Sequence, residues 1–197
     1  MKRTFLTIAL AIITTFSFAT KPHIDNVRVN AENSTIKWIG FKVASSHEGT
    51  VNIQKGMLMI DHGTLVGGQF SIDMTSISDT DIESEEYRAK LDGHLKSKDF
   101  FNVEQFPLST ITITKAVKGD DNSYKIVADL TIKGITHPVT FPAKVTINGL
   151  NFSATAKIKI DRTKWGIEYN SGNFFENLGD HLIKDEIEFA VSLLSVK

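Results

Sequence analysis

The chain has 197 residues, 41% of them hydrophobic and 23% charged, with a formal net charge of −1. That length suits one sizeable domain, and the near-neutral balance excludes the basic face that a nucleic-acid partner requires. Cysteine is absent, which excludes a disulfide scaffold and an acylated lipoprotein, so the core alone must carry the stability.

Lys2 and Arg3 precede an apolar run from Phe5 to Phe18, and Ser17-Phe18-Ala19 supplies small residues for a cleavage site. Residues 1–19 therefore read as a secretory signal peptide. A membrane anchor fits less well, because the run is shorter than the roughly 20 residues that a span requires. Cleavage after Ala19 removes Lys2 and Arg3 and no acids, taking the formal charge from −1 to −3. A bacterial periplasmic or secreted protein is expected. Residues 20–33 are polar and weakly patterned and read as a lead-in to a domain spanning 34–197.

From Ser34 the chain reads as strands. Ile36 and Trp38 share one face against Lys37, Ile39 and Phe41. Residues 45–49 look like a turn before Thr50–Ile53, Gly56 separates off the apolar run Met57–Ile60, and Asp61-His62-Gly63 signals another turn. Over Thr64–Ile77, Val66, Phe70, Ile72 and Met74 fall on one face, and Gly67-Gly68 marks a bulge or barrel corner. The acidic run 79–86 reads as a solvated helix start. Residues 85–98 then change period, with Tyr87, Leu91 and Leu95 four apart, acids first and bases last, as in an amphipathic helix. Gly93 costs that helix about 1 kcal/mol relative to alanine.

The helix runs into His94-Leu95-Lys96-Ser97-Lys98-Asp99-Phe100-Phe101, and then Phe106-Pro107. Phe100, Phe101 and Phe106 are too apolar for a solvated connection; they either plug the space between helix and sheet or wall a cavity. Four patterned strands follow. Ile111 and Ile113 share a face in the first; Ile126, Ala128, Leu130 and Ile132 do so in the second; Phe141, Ala143, Val145 and Ile147 in the third; Phe152, Ala154, Ala156 and Ile158 in the fourth. Asn148-Gly149 between the last two fits a type I′ hairpin. After a Gly/Asn-rich loop at 170–181, Ile187, Phe189, Val191 and Leu193 alternate in the final strand.

The pattern is mainly β, roughly eight antiparallel strands with one apolar face, and closure into a barrel removes the exposed edges. Alternation alone does not separate a soluble barrel from a transmembrane one. The helix and the charges spread over the polar face favour a solvent-facing exterior and no stable membrane insertion.

The stretch from His94 to Phe101 with Phe106-Pro107 resembles the YceI-like family of periplasmic lipid-binding proteins. Gly68-Gln69-Phe70-Ser71-Ile72-Asp73, Leu130-Thr131-Ile132-Lys133-Gly134-Ile135-Thr136-His137-Pro138-Val139 and Asp161-Arg162-Thr163-Lys164-Trp165-Gly166-Ile167 carry the same likeness, in the family's order. The resemblance implies a lipocalin-like eight-stranded β-barrel with an apolar lumen that binds isoprenoids, such as polyprenyl phosphates or isoprenoid quinones, or other amphiphiles. It does not imply an enzyme, and neither catalysis nor a cofactor is expected.

On that reading the lumen is lined by Trp38, Phe70, Ile72, Met74, Leu91, Leu95, Phe100, Phe101, Phe106, Ile111, Ile113, Leu130, Phe141, Ala143, Phe152, Ala154 and Phe189. The small residues Ala143 and Ala154 leave room, although small side chains also balance large ones in a packed barrel. His94, Arg162 and Lys164 are candidates for meeting a head group, or are solvated or ion-paired. A packed-barrel stress or interaction protein without lipid is the alternative. The six histidines show no metal-ligand spacing and His47-Glu48 reads as loop chemistry, so no metal site is expected. No catalytic residues stand out, with neither a G-x-S-x-G elbow nor a glycine-rich phosphate loop. Nothing in the pattern bears on oligomeric state.

Overall fold

The computed structural model describes residues 23–196; the expected signal peptide lies outside them. Strands β1 (Ile24–Arg28), β2 (Thr35–Lys42), β3 (Ser46–Asp61) and β4 (Thr64–Asp79) are followed by helix α1 (Glu85–Lys96). Strands β5 (Leu108–Lys118), β6 (Ser123–Ile132), β7 (Ile135–Asn148), β8 (Asn151–Asp161) and β9 (Ile183–Leu194) complete the sheet, with single 3-10 turns at Arg162–Trp165 and Gly179–His181.

All pairings are antiparallel, and the ladder β3-β2-β9-β8-β7-β6-β5-β4 closes through β3–β4 into an eight-membered barrel. The ninth strand lies in the stretch read as a polar lead-in. β1 pairs with the far half of β3 (Ile24 with Asp61, Arg28 with Met57), while β2 pairs with its near half (Ile36 with Val51, Phe41 with Ser46). β1 and β2 are thus two pieces of one stave. The connection after β1 is held to the chain end by the Val29–Ser195 bridge and by Asn30 N–H donating to Leu194 O. Few residues of β1 alternate cleanly, which hid it, but Val27 and Val29 are buried.

β3 runs unbroken through the expected turn at 45–49 and through Gly56. Both glycines sit under aromatic rings of paired strands. A Cβ at Gly49 would fall 2.5 Å from Trp38, its cross-strand partner, and one at Gly56 would fall 2.4 Å from Phe70. Here glycine provides room for a ring to lie across the strand rather than a place to end it.

A bulge is present, but at Val66 rather than at Gly67-Gly68, and it reverses the expected facing of Val66. Met59 pairs with Gly67 and Ile60 with Leu65, leaving Val66 as the extra residue. The extra residue shifts the inward parity by one, so Leu65 is 1% exposed and Val66 40%. The β7–β8 hairpin also differs from expectation. Its two-residue loop is Gly149-Leu150, with Gly149 alone of the pair at positive φ, the pattern of a type II′ turn. The β6–β7 loop, Lys133-Gly134, has positive φ at both positions, which is the type I′ pattern.

Alternation puts the apolar face inward: Ile126 and Ala128 are buried between exposed Lys125 and Asp129. The outer face carries charge, as where Lys159 on β8 meets Glu186 and Glu188 on β9 at 3.1 and 2.6 Å. A lipid-facing barrel would carry an apolar band there. Among the described residues no helix is long and apolar enough to cross a membrane.

α1 lies over the end of the barrel where β4 finishes. Ser78 Oγ–H and the Asp79 N–H both donate to the Asp92 carboxylate at 2.7 Å, fastening the helix to β4. Leu95 is buried and Leu91 half-buried. Tyr87, the third member of the expected apolar stripe, is 63% exposed, with Lys90 Nζ 5.1 Å from its ring centre. The helix stops at Lys96, two residues before expectation, because Ser97 leaves helical geometry and its N–H and hydroxyl both donate to His94 O.

Candidate functional site

The barrel is hollow. An inner chamber is walled by side chains from β2 through β9, among them Ile36, Phe70, Ile72, Met74, Ile111, Ile113, Leu130, Phe141, Ala143, Ala154 and Phe189. The centre of a water-sized sphere ranges over about 150 Å³ of it, on the order of ten times what one water needs. Ser109 and Thr155 are the polar residues of its wall, and no titratable side chain lines it.

A second, outer chamber of about 90 Å³ by the same measure lies under α1. Trp38, Ile77, Leu91, Leu95, Phe100 and Ile187 supply its apolar surface, and Lys42, His47, Arg162 and Lys184 are its charged or polar lining residues. Phe101 is common to both chambers. The chain presents it there by a tight reversal after the helix. Phe101 N–H donates to Leu95 O, Asn102 N–H to Ser97 O and Val103 N–H to Lys96 O. Asn102 takes the left-handed conformation at φ 47°, which asparagine tolerates better than most residues. Consecutive Phe100 and Phe101 are both buried as a result, which a strand would not allow.

Arg162, a head-group candidate from sequence, is 1% exposed and occupied with the protein's own backbone. Its Nε donates to Lys184 O at 3.1 Å, Nη1 to Ile167 O at 2.6 Å and Nη2 to Ile183 O at 3.0 Å. Asp185 Oδ1 lies 3.4 Å from Nη2, and the guanidinium sits 6.0 Å from the Phe100 ring centre. Burial pulls its pKa down, opposed by Asp185 and Asp161, but a guanidinium stays charged in any protein. It binds the 3-10 turn and the start of β9 into one floor for the outer chamber.

Four residues expected at the lumen or its mouth line neither chamber. Phe106 follows the reversal at Asn102 and packs over Gly134 in the β6–β7 turn, where a Cβ would be 3.1 Å from its ring. Phe152 is buried beside Ile147 next to the β7–β8 turn, at the end of the strands. His94 stacks edge-on against Phe100 and Tyr169, at 5.0 and 4.6 Å between ring centres, with Asp99 3.5 Å from Nε2. Lys164 is exposed, and its carbonyl meets His137 Nε2 at 3.0 Å.

The predicted lumen omitted several residues of the inner wall, among them Val51, Ile53, Leu58 and Leu65. Reading β3 as two pieces, the second an apolar run, hid the common direction of the first three; Leu65 was hidden by the bulge. Asp79, read as part of a solvated acidic run, is buried.

A closed antiparallel barrel around an apolar lumen, with a helix across one end, is a lipocalin-like architecture. The chain belongs to the YceI-like family, whose domain model matches residues 27–194. It is 40% identical over 80 residues to UPF0312 protein YE1254 of Yersinia enterocolitica, covering 36% of this chain and 41% of that protein. It is 37% identical over 93 residues to Protein YceI of Escherichia coli O157:H7, covering 43% and 47%. The matched stretches thus span less than half the length of these relatives. BcnA of Burkholderia cenocepacia has the same fold, with a TM-score of 0.69 at 20% identity over 85% of this chain and 99% of that one. So does a domain of Saccharophagus degradans described as polyisoprenoid-binding and implicated in plant cell wall breakdown, with a TM-score of 0.63 at 13% identity over 89% and 98%.

Proposed function

We propose that this protein is an exported binding protein that sequesters or carries an isoprenoid, such as a polyprenyl phosphate or an isoprenoid quinone, or a similar amphiphile. The inner chamber carries this reading: it is hollow and almost wholly apolar, so it suits a hydrocarbon chain. The polyisoprenoid binding described for the Saccharophagus domain supports the choice of ligand, and the Lys2/Arg3 start with the apolar run to Phe18 supports export to the periplasm or beyond.

The magnitudes are adequate. Each buried methylene contributes about 0.8 kcal/mol, so one five-carbon unit offers roughly 4 kcal/mol before costs. Micromolar binding needs about 8 kcal/mol, which a few units in the two chambers supply after the cost of association. The chain would lie in the inner chamber and pass Phe101, leaving its polar end among Lys42, Lys184 and the Arg162 floor. Native mass spectrometry of protein purified from its host envelope tests this. A co-purified amphiphile of one or a few isoprenoid lengths is expected; empty protein that also takes up no polyprenyl phosphate or quinone in solution would overturn it.

A further inference from the structure

Beside the outer chamber, three residues from separate stretches converge. His47 stands near the start of β3, Asp79 ends β4, and Asp81 follows it. His47 Nδ1 lies 3.1 Å from Asp81 Oδ1 and 3.8 Å from Asp79 Oδ2, and all three atoms fall within 4.8 Å of one another. Each carboxylate has one oxygen held by backbone. Asp79 Oδ1 accepts from the N–H groups of Asp81 and Ile82 at 3.2 and 2.8 Å, and Asp81 Oδ2 accepts from Glu48 N–H at 3.1 Å. The other oxygen of each is turned toward His47.

The independent observation is at Asp79. The residue is 2% exposed, and its Oδ2 is a buried atom with no hydrogen-bond partner among the described residues. Leaving such an oxygen unmatched is costly. A cation satisfies Oδ2, Asp81 Oδ1 and the imidazole together.

We propose that His47 Nδ1, Asp79 Oδ2 and Asp81 Oδ1 form a binding site for a divalent transition-metal cation of the zinc or cobalt type. Ligand atoms at about 2.0–2.2 Å from such a metal stand roughly 3–3.5 Å apart. The His47–Asp81 spacing already meets this, and Asp79 needs only a small side-chain movement. One imidazole with two carboxylates suits zinc, cobalt, manganese or iron(II) rather than soft copper(I), and three ligands are too few for calcium. The two carboxylates balance the charge of a divalent ion. Because His47 also lines the outer chamber, an open coordination position would face that space. The spacing along the chain gives no hint of this set, since β3 and β4 bring it together only on pairing Gly49 with Asp79.

The test uses untagged, chelator-stripped full chain titrated with Zn²⁺ and Co²⁺, followed by calorimetry and by visible absorption of bound cobalt. It reads metal alone, so it stands or falls separately from the lipid reading. One equivalent should bind, with a visible cobalt band, and His47→Gln and Asp81→Asn should each weaken binding at least tenfold. Both positions are partly exposed, and their unfolding midpoints without metal serve as the check on folding. In parallel, saturating Zn²⁺ should raise the wild-type midpoint and leave that of the His47→Gln/Asp81→Asn double variant unmoved. No stoichiometric binding to wild type, a loss under tenfold in either variant, or an equal zinc effect on wild type and double variant overturns the proposal.

Discussion

Trp38 lies across Gly49, its partner on the neighbouring strand, so closely that a Cβ on residue 49 would sit 2.5 Å from the indole and 2.0 Å from Ser78 O. The ring donates through Nε1 to Thr50 O at 3.3 Å and forms part of the outer chamber's wall. Gly49→Ala should therefore lower stability by about 1–3 kcal/mol, the usual cost of overpacking, read as a shift in urea midpoint. The displaced ring should also change Trp fluorescence. An unshifted midpoint would show that the strands part without cost.

Ala154 on β8 lines the inner chamber between its cross-strand partners Val145 and Leu193. Ala154→Phe places a ring in that space and should reduce uptake of a fluorescent polyprenyl probe at least tenfold, while the far-UV circular dichroism of the β-barrel persists. Ala143→Phe on β7 should act alike. Undiminished uptake would mean that the apolar chain does not occupy this chamber.

Phe101 separates the two chambers, so its truncation joins them. Phe101→Ala should cost about 3–5 kcal/mol of stability and shift preference toward longer prenyl chains, measured by competition between short and long homologues. Phe101→Leu should do less of both. An unchanged length preference would assign Phe101 to sealing the core rather than to sizing the ligand.

Arg162 gives three donors to backbone carbonyls. A lysine keeps the charge but not the planar fork. Losing two charge-assisted hydrogen bonds should cost Arg162→Lys about 3 kcal/mol or more, visible as a lower thermal midpoint. If the midpoint holds and affinity for a phosphate-headed ligand falls instead, the residue serves the ligand before the frame.

The strands β6 to β8 were legible because each alternates over several residues, and period two is a direct image of one buried face; β5 alternates only up to Ile113, where its register with β6 shifts. β3 and the start of β4 were harder. Glycine at 49 and 56 looks like punctuation until the rings of Trp38 and Phe70 are seen above it, and the bulge at Val66 reverses which neighbours are inside. β1 was hidden by its brevity. Of the cavity residues, those on regular strands followed from parity, whereas Phe106 and His94 depended on the path of an irregular connection that no periodicity encodes. The convergence of His47 with Asp79 and Asp81 needed the β3–β4 register itself.

The stave made of β1 and β2 gives the hoop two separate fasteners where the other staves have one. β2 latches the end beneath α1, and β1 latches the opposite end through Met57–Asp61 and the chain's last residues. The 29–34 connection lies between them and is bonded to the end of β9, through Asn30 N–H to Leu194 O and Leu194 N–H to Ser34 Oγ. Fraying of β1 would open the end remote from α1 and leave the outer chamber shut, giving the barrel a back door independent of its front one.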